Sequence, residues 1–175
     1  MLQNNRRRYI LKKMELSIKK QILFILLFAA SLLFQVAVTK YFSNFPDLSL
    51  LVIVFGGIYF FGIEIIFLVV IVSFIRCFFS QETLVVDVFL MPCVCLVSYF
   101  FSKMFNRENI FFQVLITIIS FIMIIAAHIL YFNISTGNYL SVMTFIVGSW
   151  KKIFLTSLMA PIVFLIYREY FRIRW

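Results

Sequence analysis

The chain has 175 residues, of which 64% are hydrophobic and 13% are charged, whereas an ordinary globular domain has roughly 45–50% apolar residues. So few charges cannot cover the surface of a soluble fold of this length, which excludes a soluble globular protein. Disordered chains are poor in apolar residues, so a disordered protein is excluded as well. The formal net charge of +9 at pH 7 implies a nucleic-acid partner only if the basic residues share a surface.

The basic residues lie at the ends of apolar segments and are not spread along a polar surface. Seven of the sixteen fall within the first 20 positions and three within the last eight, and the 42 residues between Glu108 and Lys151 have no formal charge. A nucleic-acid groove needs basic residues interleaved with exposed polar and aromatic ones. The distribution therefore indicates an integral membrane protein with no nucleic-acid partner.

The first segment, residues 1–20, is basic and precedes the first apolar run. Its hydrophobic residues Ile10, Met14 and Ile18 recur every four positions, a pattern typical of a short amphipathic helix lying on anionic lipid. A solvated basic tail that only orients the first span is the alternative, and the sequence leaves it open. The basic residues of this candidate lipid-binding segment are Arg6, Arg7, Arg8, Lys12, Lys13, Lys19 and Lys20.

Residues 21–167 predict a membrane domain of six helices, because a helical span needs about 20 mostly apolar residues. The block 48–79 would be about 48 Å long as one helix, so two antiparallel spans that turn near residues 59–62 are predicted. The stretch 139–150, after the turn sequence at 133–138, is too short to span and predicts an interfacial or re-entrant piece. The predicted spans are Ile22–Val38, 48–61, 63–79, Thr83–Phe105 with a kink at Pro92, Ile110–Phe132 and Lys151–Tyr167.

The distribution of Lys and Arg predicts the orientation of these spans, since cytoplasmic loops carry an excess of basic residues. With six spans and a cytoplasmic N-terminus, twelve of the sixteen basic residues fall on the cytoplasmic side, including those of the tail 168–175. The predicted fold class is therefore an all-α, polytopic membrane bundle with both termini in the cytoplasm.

Ionisable residues within predicted spans are costly and are candidates for function. Arg76 and Asp87 flank the turn between the third and fourth spans, so they are predicted to lie at similar depth near the outer face and to form an ion pair. Such a pair, or snorkelling to the interface, is favoured over a transport or catalytic role. His128 is the only histidine and is predicted to make an interhelical hydrogen bond.

The sequence contains none of the common catalytic motifs, such as a phosphate-binding loop, a nucleophile elbow or a zinc-protease helix. Cys77, Cys93 and Cys95 lie in apolar segments without further ligands at metal-binding spacing, so they are predicted to be buried apolar side chains. No catalytic, cofactor-binding or metal-binding residue is predicted. A non-enzymatic scaffold or partner-binding subunit is the default.

Several fragments resemble the bacterial rod shape-determining protein family MreD, and the likeness extends over the whole chain in length and span order. The second span opens with Pro46-Asp47-Leu48, and the fourth ends in Phe105-Asn106-Arg107-Glu108-Asn109. The run Phe111–Tyr131 follows, and the last span reads from Leu155 through Ala160-Pro161 to Phe164 before an Arg-rich tail. The segment from Arg76 to Thr83 departs from the acidic, Gly/Pro-rich loop typical of that family.

The resemblance implies a non-enzymatic inner-membrane subunit of the cell-elongation machinery that makes peptidoglycan and maintains cell shape. The partners that it implies are MreC, the actin-like MreB, RodA and a class B penicillin-binding protein, with no cofactor. It also implies a fold like that of the substrate-binding subunits of energy-coupling-factor transporters. A vitamin-binding subunit of such a transporter is the alternative, although the Ala-x-x-x-Ala face of those proteins is missing here, since Leu33 follows Ala29. Another small permease is the third reading.

Overall fold

The computed structural model describes residues 2–42, 45–60, 63–80, 84–137 and 142–173, with side chains for 18–19, 21–42, 45–60, 64–78, 86–137 and 147–170. These ranges are helical apart from short connections, and no β-strand occurs within them. The helices are α1 (Leu2–Thr39), α2 (Leu48–Tyr59), α3 (Ile63–Ser80), α4 (Leu84–Met104), α5 (Ile110–Thr136) and α6 (Val142–Ile173).

The length and apolar composition of the helices support the assignment of the chain as a membrane protein. Within the described residues, four segments are long and apolar enough to cross a bilayer, and large apolar side chains on their outside, such as Phe89 and Phe111, are exposed. The four segments are Gln21–Thr39, Val86–Met104, Ile110–Thr136 and Val147–Tyr170.

Helix α2 is the centre of the bundle and contacts each of the five other helices. Every residue from Ser49 to Ile58 is buried, and nearly all of them are apolar. A helix that is hydrophobic on all sides is stable only where other elements enclose it. Its 12 residues give a length of about 18 Å, well short of the roughly 30 Å hydrocarbon core of a bilayer.

Two glycines allow α2 to pack closely against its neighbours. A Cβ atom at Gly57 would lie 2.5 Å from the backbone oxygen of Cys95 on α4. A Cβ atom at Gly56 would lie 2.6 Å from the ring of Phe24 on α1. Small residues of this kind let the backbones of membrane helices approach each other.

Side-chain and backbone caps set several helix ends. Asp47 accepts a hydrogen bond from the Leu50 N–H and begins α2, and Asn109 accepts one from the Phe111 N–H and begins α5. Helix α5 ends at Gly137, whose φ of +67° is left-handed. The predicted turn at 133–138 is therefore too long, because residues 133–136 continue the helix and only Gly137 leaves it. Asn138 lies outside the described residues.

The predicted division of the last apolar segment at Lys151 is wrong, because α6 runs from Val142 to Ile173 without interruption. Lys151 is exposed and Lys152 is half-buried, so both lie on the side of the helix and do not end it. The basic segment and the first predicted span are likewise one helix, α1. Of the segment's seven basic side chains only that of Lys19 is described, and it is exposed. Lipid binding by the segment stays a prediction.

Candidate functional site

Asp47, in the connection before α2, is a buried acidic residue that is only 1% exposed. Its carboxylate accepts a hydrogen bond from Arg76 on α3 at 2.9 Å, from the Ser49 hydroxyl at 2.6 Å and from the Leu50 N–H at 3.0 Å. The Arg76 side chain is also buried, with 3% exposed. Three donors, one of them charged, offset much of the cost of placing this carboxylate among apolar helices.

Further hydrogen bonds around Asp47 join five helices at one end of the bundle, called here the Asp47 end. The Asp47 N–H donates to Thr156 Oγ1 of α6 at 2.9 Å, and the Ser49 N–H donates to Gln35 Oε1 of α1 at 3.1 Å. Arg76 Nη1 lies 3.5 Å from the sulfur of Met91 on α4. The polar group is therefore a structural connector between α1, α2, α3, α4 and α6.

Asp47 is ionised at neutral pH. Burial by itself raises the pKa of this carboxyl, but the charges of Arg76 and Lys152 and the bonds from Ser49 and Leu50 outweigh burial and lower the pKa from 3.8 to about 2. A lowered pKa in the folded state means that the ionised form binds the rest of the protein more tightly than the protonated form does.

This pKa predicts the acid dependence of stability. The contribution of the Asp47 charge is fully present above pH 4, the ordinary range of a carboxyl, and is lost as the pH falls through about 2. We expect the temperature midpoint of unfolding in detergent to be unaffected by this group between pH 5 and 8. At pH values lower than 4 the midpoint should decrease. In Asp47→Asn the part of the acid-dependent loss that is due to this carboxyl should disappear, and an identical acid profile in the two proteins would contradict the assignment.

Asp87 is the predicted partner of Arg76, and among the described residues Arg76 forms an ion pair with Asp47, from the connection before α2. Asp87 is fully buried on α4, where its Oδ1 lies 3.6 Å from His128 Nε2 and its Oδ2 lies 3.8 Å from Cys77 Sγ. Arg76 thus lies against the carboxylate of Asp47, and Asp87 lies against the imidazole of His128.

His128 contacts both its own helix and α4. Its Nδ1 lies 2.9 Å from the carbonyl oxygen of Ile124, one turn earlier on α5, and its Nε2 faces the Asp87 carboxylate. The interhelical neighbour of His128 is therefore an acidic side chain. A carboxylate beside an imidazole within segments that can span a membrane is a candidate for function.

At the opposite end of the bundle, called here the Arg168 end, polar side chains meet around the connection between α4 and α5. The hydroxyl of Tyr59 and the amide of Gln113 both donate to the carbonyl oxygen of Arg107, at 3.1 and 2.9 Å. Arg168 Nη1 lies 2.9 Å from the carboxylate of Glu108. A cavity of about 340 Å³ opens beside them.

Among the described residues, no three His, Cys, Asp or Glu side chains lie close enough to hold a metal ion. Cys77 and Cys95 are buried thiols, and Cys93, which was predicted to be buried like them, is exposed.

Asp47 is the central residue that sequence reasoning did not identify as a site residue. A signal was present, since an aspartate directly before an uninterrupted apolar helix is a strong N-cap. A carboxylate at the edge of a helix that is buried on all sides also needs a cationic partner.

Comparisons of the chain with protein-family models, with curated proteins and with solved structures found no match. The features that bear on its function are therefore the Asp47 end, the Asp87–His128 pair and the cavity at the Arg168 end.

Proposed function

We propose that this chain is a non-enzymatic scaffold subunit of the bacterial cell-elongation machinery in the inner membrane, with six spans and both termini in the cytoplasm. The observation that carries the proposal is that the main buried polar group, around Asp47, bonds helices to one another. Side chains committed to holding five helices in place support assembly better than they support chemistry.

The resemblance to the MreD family supports the same function. The fragment Pro46-Asp47-Leu48, which is part of that resemblance, contains the carboxylate that caps α2 and binds Arg76. A fragment with a structural role of this kind suits a family that acts by presenting a rigid bundle to partner proteins. The exposed apolar faces of the long helices are then the surfaces available to the transmembrane segment of MreC.

Photo-crosslinking tests where such a partner binds. A photoreactive amino acid is placed at Leu33 on α1, Phe89 on α4 or Leu158 on α6, three large side chains that are more than half exposed. We expect crosslinks to MreC from one or two of these faces, together with co-purification of MreC from membranes. Equal crosslinking from all three faces indicates only random proximity, and absence of both crosslinks and co-purification contradicts the proposal.

Loss of the chain provides the test in cells. A scaffold subunit of the elongation machinery is needed for a constant cell width, so we expect rounded or lysing cells after its removal and rod shape after its return. Unchanged cell width contradicts the role. Co-purification of the chain with a transporter ATPase in place of MreC would favour the energy-coupling-factor alternative.

The Asp87–His128 pair favours a second candidate function, a small permease that moves protons or ions through the bundle. Replacing Asp87 by Asn and His128 by Gln together removes both titratable groups and keeps their approximate shape. If the chain is a scaffold, we expect this double variant to restore rod shape as the unmodified protein does. Failure to restore shape, with normal amounts of folded protein in the membrane, would favour transport.

A further inference from the structure

The cavity at the Arg168 end has one polar and one apolar side. Its volume of about 340 Å³ falls within the size range of small-molecule sites, roughly 300–1,000 Å³. The polar lining consists of Tyr59, Glu108, Gln113 and Arg168, and the apolar lining consists of Ile110, Pro161, Ile162, Phe164 and Leu165.

The apolar side is continuous with the outside of the bundle. Ile110, Ile162 and Leu165 line the cavity, and each is more than half exposed. All three belong to segments that are apolar and long enough to cross a membrane, so in a bilayer their exposed parts would face acyl chains. The cavity is therefore open to lipid along its apolar wall.

Arg168 provides the cation at the polar side. Its Nη1 binds Glu108, whose side chain is 69% exposed, while its Nε is buried and has no hydrogen-bond partner. Exposed ion pairs contribute little stability, so a second anion can compete for the guanidinium. Phosphate oxygens suit a guanidinium especially well, because two parallel N–H donors can bind one phosphate.

We propose that this cavity binds an anionic phospholipid, with the phosphate on Arg168 and an acyl chain along Ile162 and Leu165. The charge of Arg168 and the exposed apolar wall together select a ligand that is anionic at one end and apolar at the other. Glu108 opposes binding, because its carboxylate occupies the same guanidinium. This site does not depend on the proposed scaffold function.

Native mass spectrometry of the full chain in detergent tests the site, with phosphatidylglycerol and phosphatidylcholine as probes. We expect tighter binding of phosphatidylglycerol, and a loss of about tenfold or more in Arg168→Gln, because a charge-assisted contact to the phosphate is removed. Glu108→Gln should bind it more tightly than the unmodified protein, since the competing carboxylate is gone. Equal binding of the two lipids overturns the proposal.

Arg107→Gln is the matched control, since Arg107 is an exposed arginine at the same end that does not line the cavity. Its affinity should stay within about twofold of the unmodified protein, as for other exposed charges. An equal loss in Arg107→Gln and Arg168→Gln would show only general attraction between a basic surface and an anionic lipid, and would overturn the site.

A change of shape without a change of charge gives a second test, which holds even if Arg168→Gln does not fold. Ile110→Trp fills the cavity and should reduce phosphatidylglycerol binding, whereas Leu158→Trp, on the exposed face of α6 outside the cavity, should not. Retained binding in Ile110→Trp overturns the proposal. Displacement of the lipid by an equal concentration of glycerol 3-phosphate would identify a soluble phosphate as the ligand and would likewise overturn it.

Discussion

Replacing Asp47 with asparagine is expected to destabilise the bundle strongly. Asparagine is nearly isosteric and remains a good N-cap, so the substitution removes mainly the charge that faces Arg76 at 2.9 Å. Breaking a buried ion pair by removing one partner costs about 3–5 kcal/mol. For a chain of this length that corresponds to a fall of about 10 °C in the unfolding midpoint in detergent.

The control for this prediction is Glu108→Gln, which removes the charge of an exposed partner of Arg168. Its cost should be about 0–1 kcal/mol. The double variant Asp47→Asn with Arg76→Met should be more stable than Asp47→Asn alone, because methionine removes the buried cation as well. Equal midpoints for Asp47→Asn and the unmodified protein would show that the pair contributes nothing to stability.

The second large effect is expected at Gly57, where the smallest possible addition meets a backbone atom. A methyl group there lies 2.5 Å from the carbonyl oxygen of Cys95, so α2 and α4 must move apart to accept alanine. Overpacking of this kind typically costs about 1–3 kcal/mol. We expect Gly57→Ala to lower the unfolding midpoint and the yield of monodisperse protein after extraction.

Two other glycines provide the comparison. At Gly56 the obstacle is the ring of Phe24, a side chain that can turn aside, so Gly56→Ala should cost less than Gly57→Ala. Gly148 has open space around its Cβ position, and alanine there should be neutral or stabilise α6 by up to about 1 kcal/mol. If Gly57→Ala proves as mild as Gly148→Ala, the close approach of α2 and α4 is not part of the folded protein.

Hydropathy predicts six helical spans, and the described residues form six helices, four of which contain segments long and apolar enough to cross a bilayer. The starts of α2 and α3, at Leu48 and Ile63, agree with the predicted spans. Hydropathy wrongly placed a break at Lys151-Lys152, inside the continuous helix α6. Hydropathy cannot distinguish two charged residues that end a helix from two charged residues on the exposed side of a continuing helix. It also ended α5 at Phe132, before the polar last turn that Gly137 caps.

The polar contacts were harder to predict, because they depend on which helices surround α2. Sequence proximity favoured Asp87 as the partner of Arg76, since the two flank one turn. The structure pairs Arg76 with Asp47, 29 positions away, because α3 packs beside the start of α2 as well as against α4. Composition and spacing identify the ionisable residues of a bundle, whereas their pairing is decided by tertiary packing.

Because α2 is enclosed by the other helices, its packing depends on helices that are synthesised after it. A helix of about 18 Å is a poor independent insertion substrate for the translocon, and its capping residue finds Arg76 and Thr156 only after α3 and α6 have been synthesised. We therefore expect that the first half of the chain does not reach its final packing alone. Nascent chains that stop before Thr156 should be recognised by membrane quality-control proteases, and α2 should become protected from them only when the last helix has emerged.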